Sequence, residues 1–138
     1  MERSLYEEHA LLERDQWWFV ARRAILETIL TRHLADTPDR RILDVGCGTG
    51  GMLPLLSRFG TVSGMESEPV AVEHCRTTFG DFNVQQGEIP IDVPADGSFD
   101  VVTAFDVIEH VDDDLGALES FRAALRPGAT AVITVPAL

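Results

Sequence analysis

The chain has 138 residues, a formal net charge of −12 and a 45% hydrophobic share. That length suits one domain with a buried core, and the negative charge argues against a nucleic-acid-binding face, which must be basic. No stretch approaches the roughly 18–20 apolar residues of a membrane span, and the N-terminus carries no secretory pattern. Cys47 and Cys75 offer neither a disulfide framework nor metal spacing, so a cytoplasmic, reduced protein is expected. Lysine is absent; the basic side chains other than histidine are all arginines.

Residues 1–35 read as helical. Leu5, Leu11 and Leu12 mark one apolar face; Phe19, Val20, Ala24, Ile25, Ile29 and Leu30 mark a second at 3.6-residue spacing. Asp15 is placed to cap the second helix, with Gln16-Trp17-Trp18 in its first turn. Adjacent tryptophans cannot share one core face. Either both glue the helix to a sheet, or Trp17 or Trp18 forms a lid over a site. A linker over 35–40 follows. Arg41–Val45 is the first expected strand, ending in the glycine-rich Gly46-Cys47-Gly48-Thr49-Gly50-Gly51. A helix is expected from Gly50 to about Arg58, with Pro54 tolerated in its first turn.

Thr61–Glu66 is the second expected strand. Ser67 is placed to cap a helix that carries Val70, Ala71, Val72 and Cys75. Asn83–Gln86 is a short third strand, and Gly87–Ser98 a loop. Asp100–Phe105 reads as a buried fourth strand. A helix over Leu115–Leu125 is capped by Asp112, Asp113 or Asp114 and stopped by Arg126-Pro127-Gly128, before a fifth strand over Ala129–Val135. Strands alternating with helices predict a Rossmann-like α/β three-layer sandwich with a parallel sheet in the order 3-2-1-4-5. The expected organisation is one cofactor-binding domain over 1–138, with a helical cap over 1–35 and a core over 41–136.

The strand–glycine loop–helix unit is a cradle for a nucleotide-like ligand. Gly46, Gly48 and Gly51 satisfy G-x-G-x-x-G; Gly46, Gly48 and Gly50 satisfy G-x-G-x-G, preceded by Asp44. Glu66, at the end of the second strand, is placed to accept both hydroxyls of a ribose. These features suit any adenosine-bearing cofactor, NAD included.

The series Gly87-Glu88-Ile89-Pro90, Asp96-Gly97-Ser98-Phe99-Asp100-Val101-Val102, Phe105-Asp106-Val107-Ile108-Glu109-His110-Val111 and Leu125-Arg126-Pro127-Gly128 narrows the choice. With the glycine loop, it resembles class I S-adenosylmethionine-dependent methyltransferases over roughly residues 41–136. The subgroup it resembles is the small-molecule one that includes ubiquinone-biosynthesis O-methyltransferases. Gln16-Trp17-Trp18-Phe19-Val20-Ala21-Arg22-Arg23 resembles a leader of bacterial relatives.

The resemblance implies S-adenosyl-L-methionine as cofactor, S-adenosyl-L-homocysteine as product and a small-molecule acceptor. By the same resemblance, Asp44 and the backbone of Gly46, Cys47 and Gly48 hold the methionine part, and Glu66 takes the ribose. Met65 and Ser67 flank the adenine; Glu88 and the Ile89 N–H read its edge, although many relatives carry Asp at the Glu88 position. Phe105 offers a carbonyl to the ammonium group, and Arg22 or Arg23 pairs with the carboxylate; Trp18, read above as a lid residue, is counted with the cofactor site on that ground.

For a hydroxyl acceptor, His110 is the candidate general base, because histidine titrates near neutrality; Asp106 stands beside it in the catalytic set. Asp106, Glu109 and His110 lie at i, i+3 and i+4, one face of a helix. Such a trio can hold a divalent metal, or simply be a cap and a solvated face; no metal is the expectation. Family members continue into a sixth and seventh strand, which are expected to be absent here. The fifth strand would then be an apolar edge, masked by a second copy or a partner, or the sequence is a truncation.

Overall fold

The structure, a computed structural model, describes residues 3–34, 37 and 39–137. Two helices, α1 (Arg3–Asp15) and α2 (Trp17–His33), precede the sheet. The strands are β1 (Arg41–Val45), β2 (Thr61–Glu66), β3 (Asn83–Gln86), β4 (Phe99–Phe105) and β5 (Leu125–Thr134). They form one sheet in the order β3-β2-β1-β4-β5, with every pairing parallel. Helices α3 (Leu53–Leu56), α4 (Pro69–Thr78) and α5 (Asp114–Ala124) make the crossovers. The expected fold class and sheet order are therefore observed.

Period-2 alternation sends side chains to two faces. Ile42, Val62, Val84 and Val101 pack with Leu30 of α2, Leu53 and Leu56 of α3, and Val72 and Cys75 of α4. Leu43, Val45, Met65, Val102 and Ala104 pack with Ala117, Phe121 and Ala124 of α5. Both faces of β1 are thus buried, as a central parallel strand requires.

Several local expectations are corrected. Asp15 does not cap α2: it closes α1, and its carboxylate is held by Arg14 at 2.8 Å. Gln16 precedes α2 without a side-chain cap. The buried face of α2 runs through Leu26 and Leu30, whereas Val20 and Ile25 are exposed. Helix α3 covers only Leu53–Leu56, because the preceding residues form turns and the chain closes with tight bonds from Arg58 N–H to Leu55 O and Phe59 N–H to Leu56 O. Arg126-Pro127-Gly128 does not separate α5 from the last strand. Strand β5 begins at Leu125 and absorbs the segment as a bulge, Phe99 pairing with Leu125 but Val101 with Thr130. Asp113 caps α5, accepting from Gly116 N–H at 2.8 Å. Of the linker, Ala35, Asp36 and Pro38 lie outside the described residues.

At the amino ends of the strands, Asp100 accepts from the Arg41 N–H at 2.8 Å and from Arg126 Nε. The Arg126 bond first, and then the Arg41 N–H, hold its carboxyl below the ordinary aspartate value. A depressed carboxyl stabilises the fold above the unfolded-state value of about 3.9, and that stability is lost as pH falls through the folded-state value. Asp100→Asn should lower Tm at pH 7, and the gap from the unmodified protein should close below about pH 4. Thermal unfolding across pH checks this; a gap that stays constant would contradict it.

Candidate functional site

The carboxyl ends of β1, β2 and β4 converge where the sheet order reverses, the usual ligand position in such folds. Two cavities meet there at Gly46 and Asp106. One, of about 530 Å³, is lined by Met65, Glu66, Ser67, Gly87, Glu88, Ile89, Val107, His110 and Asp112 among others. The other, of about 320 Å³, is lined by Trp18, Arg22, Asp44, Cys47, Gly48, Met52 and Phe105 among others. Every expected cofactor-site residue except the alternative Arg23 borders one of the two.

The glycine loop is built by β2. Gly46 and Cys47 both donate to the Met65 carbonyl, at 2.7 and 3.1 Å, and Gly50 donates to the Cys47 carbonyl at 3.0 Å. Gly48 N–H donates to Glu66 Oε2 at 2.8 Å. Gly46, Gly48 and Gly50 all have positive φ, which glycine adopts without a Cβ clash. A Cβ on Gly46 would stand 2.6 Å from Val107 Cγ2, while one on Gly48 would meet open space. The loop is thus a shaped floor whose N–H groups at Gly46, Cys47, Gly48 and Gly50 are already engaged, not a nest of free donors.

Glu66 does more than end a strand. Its Oε1 also accepts from the Ser67 and Glu68 N–H groups, at 3.0 and 3.2 Å. Ser67 was expected to cap α4; Glu68 holds the N-cap position instead, without a side-chain cap bond, and the Glu66 carboxylate binds the N–H groups of the two residues ahead of the helix. Beyond it, Gly87 N–H donates to the Glu66 carbonyl at 3.0 Å, and Glu88 N–H to Asp92 at 2.8 Å. Gly87 lines the cavity and has no room for a side chain, since a Cβ would lie 2.9 Å from that of Asp92.

The first cavity carries the carboxylates of Glu66, Glu88, Asp106, Asp112 and Asp113, with no arginine among the described residues that line it. Arg22 borders the second, with Nη2 2.9 Å from Asp106 Oδ2. That pair lacks hydrogen-bond alignment, so we treat it as a Coulombic contact. Arg23 lies away from this site, donating to the Arg14 carbonyl at 2.9 Å. Asp106 has φ +54 and is held by Thr134, whose Oγ1 donates to Asp106 Oδ1 at 3.1 Å.

The helix expected to align Asp106, Glu109 and His110 is not formed. Only a 3₁₀ turn, Ile108–His110, follows β4, and Asp106 precedes it in a left-handed conformation. Among the described residues no trio of metal-ligating side chains converges. His110 borders the first cavity with an exposed side chain. Neither tryptophan glues α2 to the sheet: Trp17 is 79% and Trp18 56% exposed, their rings meet edge to face, and Trp18 alone borders the site. The Cys47 thiol is buried; the neighbouring Cys75 thiol, then burial, then the Asp44 carboxylate push its pKa far above the usual thiol range.

Val107, Val111, Asp112 and Asp113 were missed as lining residues, because the turn after β4 gave no periodic signal. Thr103 was missed because it hides in a β-branched strand. It donates to Asp44 at 2.6 Å, both side chains buried.

A reversed parallel sheet with this loop and strand-end acid defines a Rossmann-like nucleotide-cofactor domain. The family model described as "Methyltransferase domain" matches residues 18–138. The chain belongs to the methyltransferase domain family. It is 35% identical over 102 residues to a ubiquinone biosynthesis O-methyltransferase of Xanthomonas campestris pv. campestris, a match covering 67% of this chain and 41% of that protein. A calicheamicin-pathway amino pentose methyltransferase of Micromonospora echinaspora, CalS10, solved with S-adenosylmethionine bound, is 26% identical. It superposes with a TM-score of 0.75, over 96% of this chain and 56% of that one. A Methanococcus maripaludis structure, described as a candidate S-adenosyl-L-methionine-dependent methyltransferase, shares the fold at TM-score 0.82 and 12% identity, covering 97% of this chain and 64% of that one. The chain spans less than half the length of the curated ubiquinone-pathway relatives it matches.

Because Gly46 combines a left-handed backbone with contact on Val107, Gly46→Ala should cost about 1–2 kcal/mol in backbone conformation alone. Thermal unfolding should show that loss. Gly48→Ala, with open space around its Cβ, isolates the backbone part; an unchanged Tm for Gly46→Ala would contradict the account.

Proposed function

We propose that this chain is a single cofactor-binding domain that binds S-adenosyl-L-methionine and supports methyl transfer to a small-molecule acceptor, through oxygen. The observation that carries the reading is the glycine loop with its donors spent. NAD would need N–H groups aimed at a pyrophosphate. Here four loop N–H groups are bonded inside the protein, α3 is a single short turn, and the adjoining wall is carboxylate-rich. A cofactor with no phosphate and a positive sulfonium suits that wall.

The residues divide the work by position. Glu66 takes the ribose hydroxyls; Met65, Ser67, Glu88 and Ile89 border the adenine; Asp44, the loop and Phe105 hold the methionine part. Arg22 faces its carboxylate, and Trp18 covers it from α2. The bound sulfonium supplies an activated methyl group, so the protein mainly positions the partners and excludes water. His110 accepts the acceptor's hydroxyl proton, with Asp106 beside it at the shared edge of the two cavities. The ubiquinone-pathway relative favours a hydroxyl acceptor; CalS10, named for an amino sugar, makes an amine the second reading. We also propose self-association along the β5 edge, where Ala131 and Val135 are exposed and Val132 and Ile133 are half-buried.

Calorimetric titration with S-adenosylhomocysteine should give micromolar binding that Glu66→Ala weakens by about tenfold or more, with NAD failing to compete. Absence of binding by a folded chain would reject the reading. With a catechol panel, His110→Gln should lower kcat by about a hundredfold or more with little change in cofactor KM, and chelators should have no effect. Light scattering at high concentration should report a dimer; a monomer would reject the edge pairing.

A further inference from the structure

The methionine end of the proposed cofactor site rests on Asp44, and Asp44 is itself positioned by a residue that borders neither cavity. The β1–β4 register sets Asp44 directly opposite Thr103. Both project from the same sheet face as Ile42 and Val101, beneath α2. Asp44 is 2% exposed, yet its side chain reaches the cavity beside Trp18, Arg22 and the loop. Thr103 is fully buried and donates its hydroxyl proton to Asp44 Oδ1 at 2.6 Å.

Strand β4 is otherwise apolar along its buried positions, reading Phe99, Val101, Val102 and Ala104. A buried hydroxyl among them is costly unless it is paired, and valine would fill the same shape. We infer that Thr103 is a positioning residue for cofactor binding: its hydroxyl fixes the rotation of the Asp44 carboxylate toward the methionine subsite. The branched Thr103 side chain is stiff at χ1, so the donor direction is set by the strand. At 2.6 Å the bond is at the short end for O–H···O geometry. This inference rests on the cofactor reading above and adds to it a residue that never touches the ligand.

The test separates the two. Calorimetry is run with S-adenosylhomocysteine and with 5′-methylthioadenosine, which keeps the adenosine and sulfur but lacks the amino-acid end. Thr103→Val should weaken S-adenosylhomocysteine by about tenfold and leave 5′-methylthioadenosine unchanged; Thr103→Ser should restore both. In an Asp44→Asn background, Thr103→Val should add little further loss. Equal weakening of both ligands, or of neither, would overturn the positioning role while the cofactor reading stands. Failure of the unmodified protein to bind either ligand would overturn the cofactor reading and this inference with it. If Thr103→Val does not fold, the Thr103→Ser and Asp44→Asn variants decide. Asp44→Asn must then weaken S-adenosylhomocysteine alone, and Thr103→Ser must match the unmodified protein; any other pair of results overturns the inference.

Discussion

One carboxylate holds the site together. Glu66 ends β2 and accepts N–H groups from Gly48 in the glycine loop and from Ser67 and Glu68 at the start of α4. The neighbouring Met65 carbonyl takes the Gly46 and Cys47 N–H groups. The loop lies close on β2 because Gly64 has no side chain; a Cβ there would stand 2.9 Å from Cys47 Sγ. Gly64, Met65 and Glu66 therefore form the surface on which the loop is moulded. A carboxylate offers about four lone-pair sites, and Glu66 already accepts four hydrogen bonds, the longest from Ser67 Oγ at 3.5 Å. A ribose bound there as proposed would have to share or displace one of these bonds, which would couple loop geometry to ribose recognition through a single side chain.

Charge is distributed to the same end. At the amino ends of the strands, Asp100 is matched by Arg126 and by the Arg41 N–H, and Arg41 also lies 4.8 Å from the Phe99 ring centre. At the carboxyl ends, the first cavity gathers five carboxylates with no guanidinium among the described residues that line it. Charges in a recessed, low-dielectric wall are screened less than surface ones. The two ends of the sheet are thus electrostatically unlike: one is neutralised for stability, the other is left negative and accessible.

The fold was legible because its strands are written in β-branched and apolar runs. Arg41–Val45, Thr61–Glu66 and Asn83–Gln86 fall where periodicity and glycine punctuation put them. Two misreadings share a cause: a polar residue was assigned to cap the nearest helix, and bonds to immediate neighbours took another form. Asp15 pairs with the adjacent Arg14, and Glu68 rather than Ser67 holds the N-cap position of α4. Asp106, Glu109 and His110 after β4 have helical spacing, but Asp106 takes a left-handed conformation; Glu109 and His110 approach to 3.6 Å, and the three do not converge as a ligand set. The Asp44–Thr103 bond could not be read at all, since it depends on the register between strands separated by 59 positions.

The left-handed Asp106 also links the cap to the sheet. A non-glycine residue in this conformation costs on the order of 1–3 kcal/mol and persists only where its surroundings fix it. Its N–H donates to the Thr134 carbonyl at 3.0 Å, Thr134 Oγ1 donates to its carboxylate, and Arg22 of α2 closes on the other oxygen. The rest of α2 is anchored mainly through Leu26 and Leu30, further down the helix, while Trp17, Trp18 and Val20 at its start stay exposed. The Arg22 contact ties the first turns of α2 to the sheet, while the His9–Phe19 ring contact and the Arg23 bond to the Arg14 carbonyl tie them to α1. Because Asp106 borders both cavities, a ligand that draws Arg22 away would both release those turns and add an unpaired negative charge at the shared edge. Cap position and site charge are therefore linked where Arg22 meets Asp106.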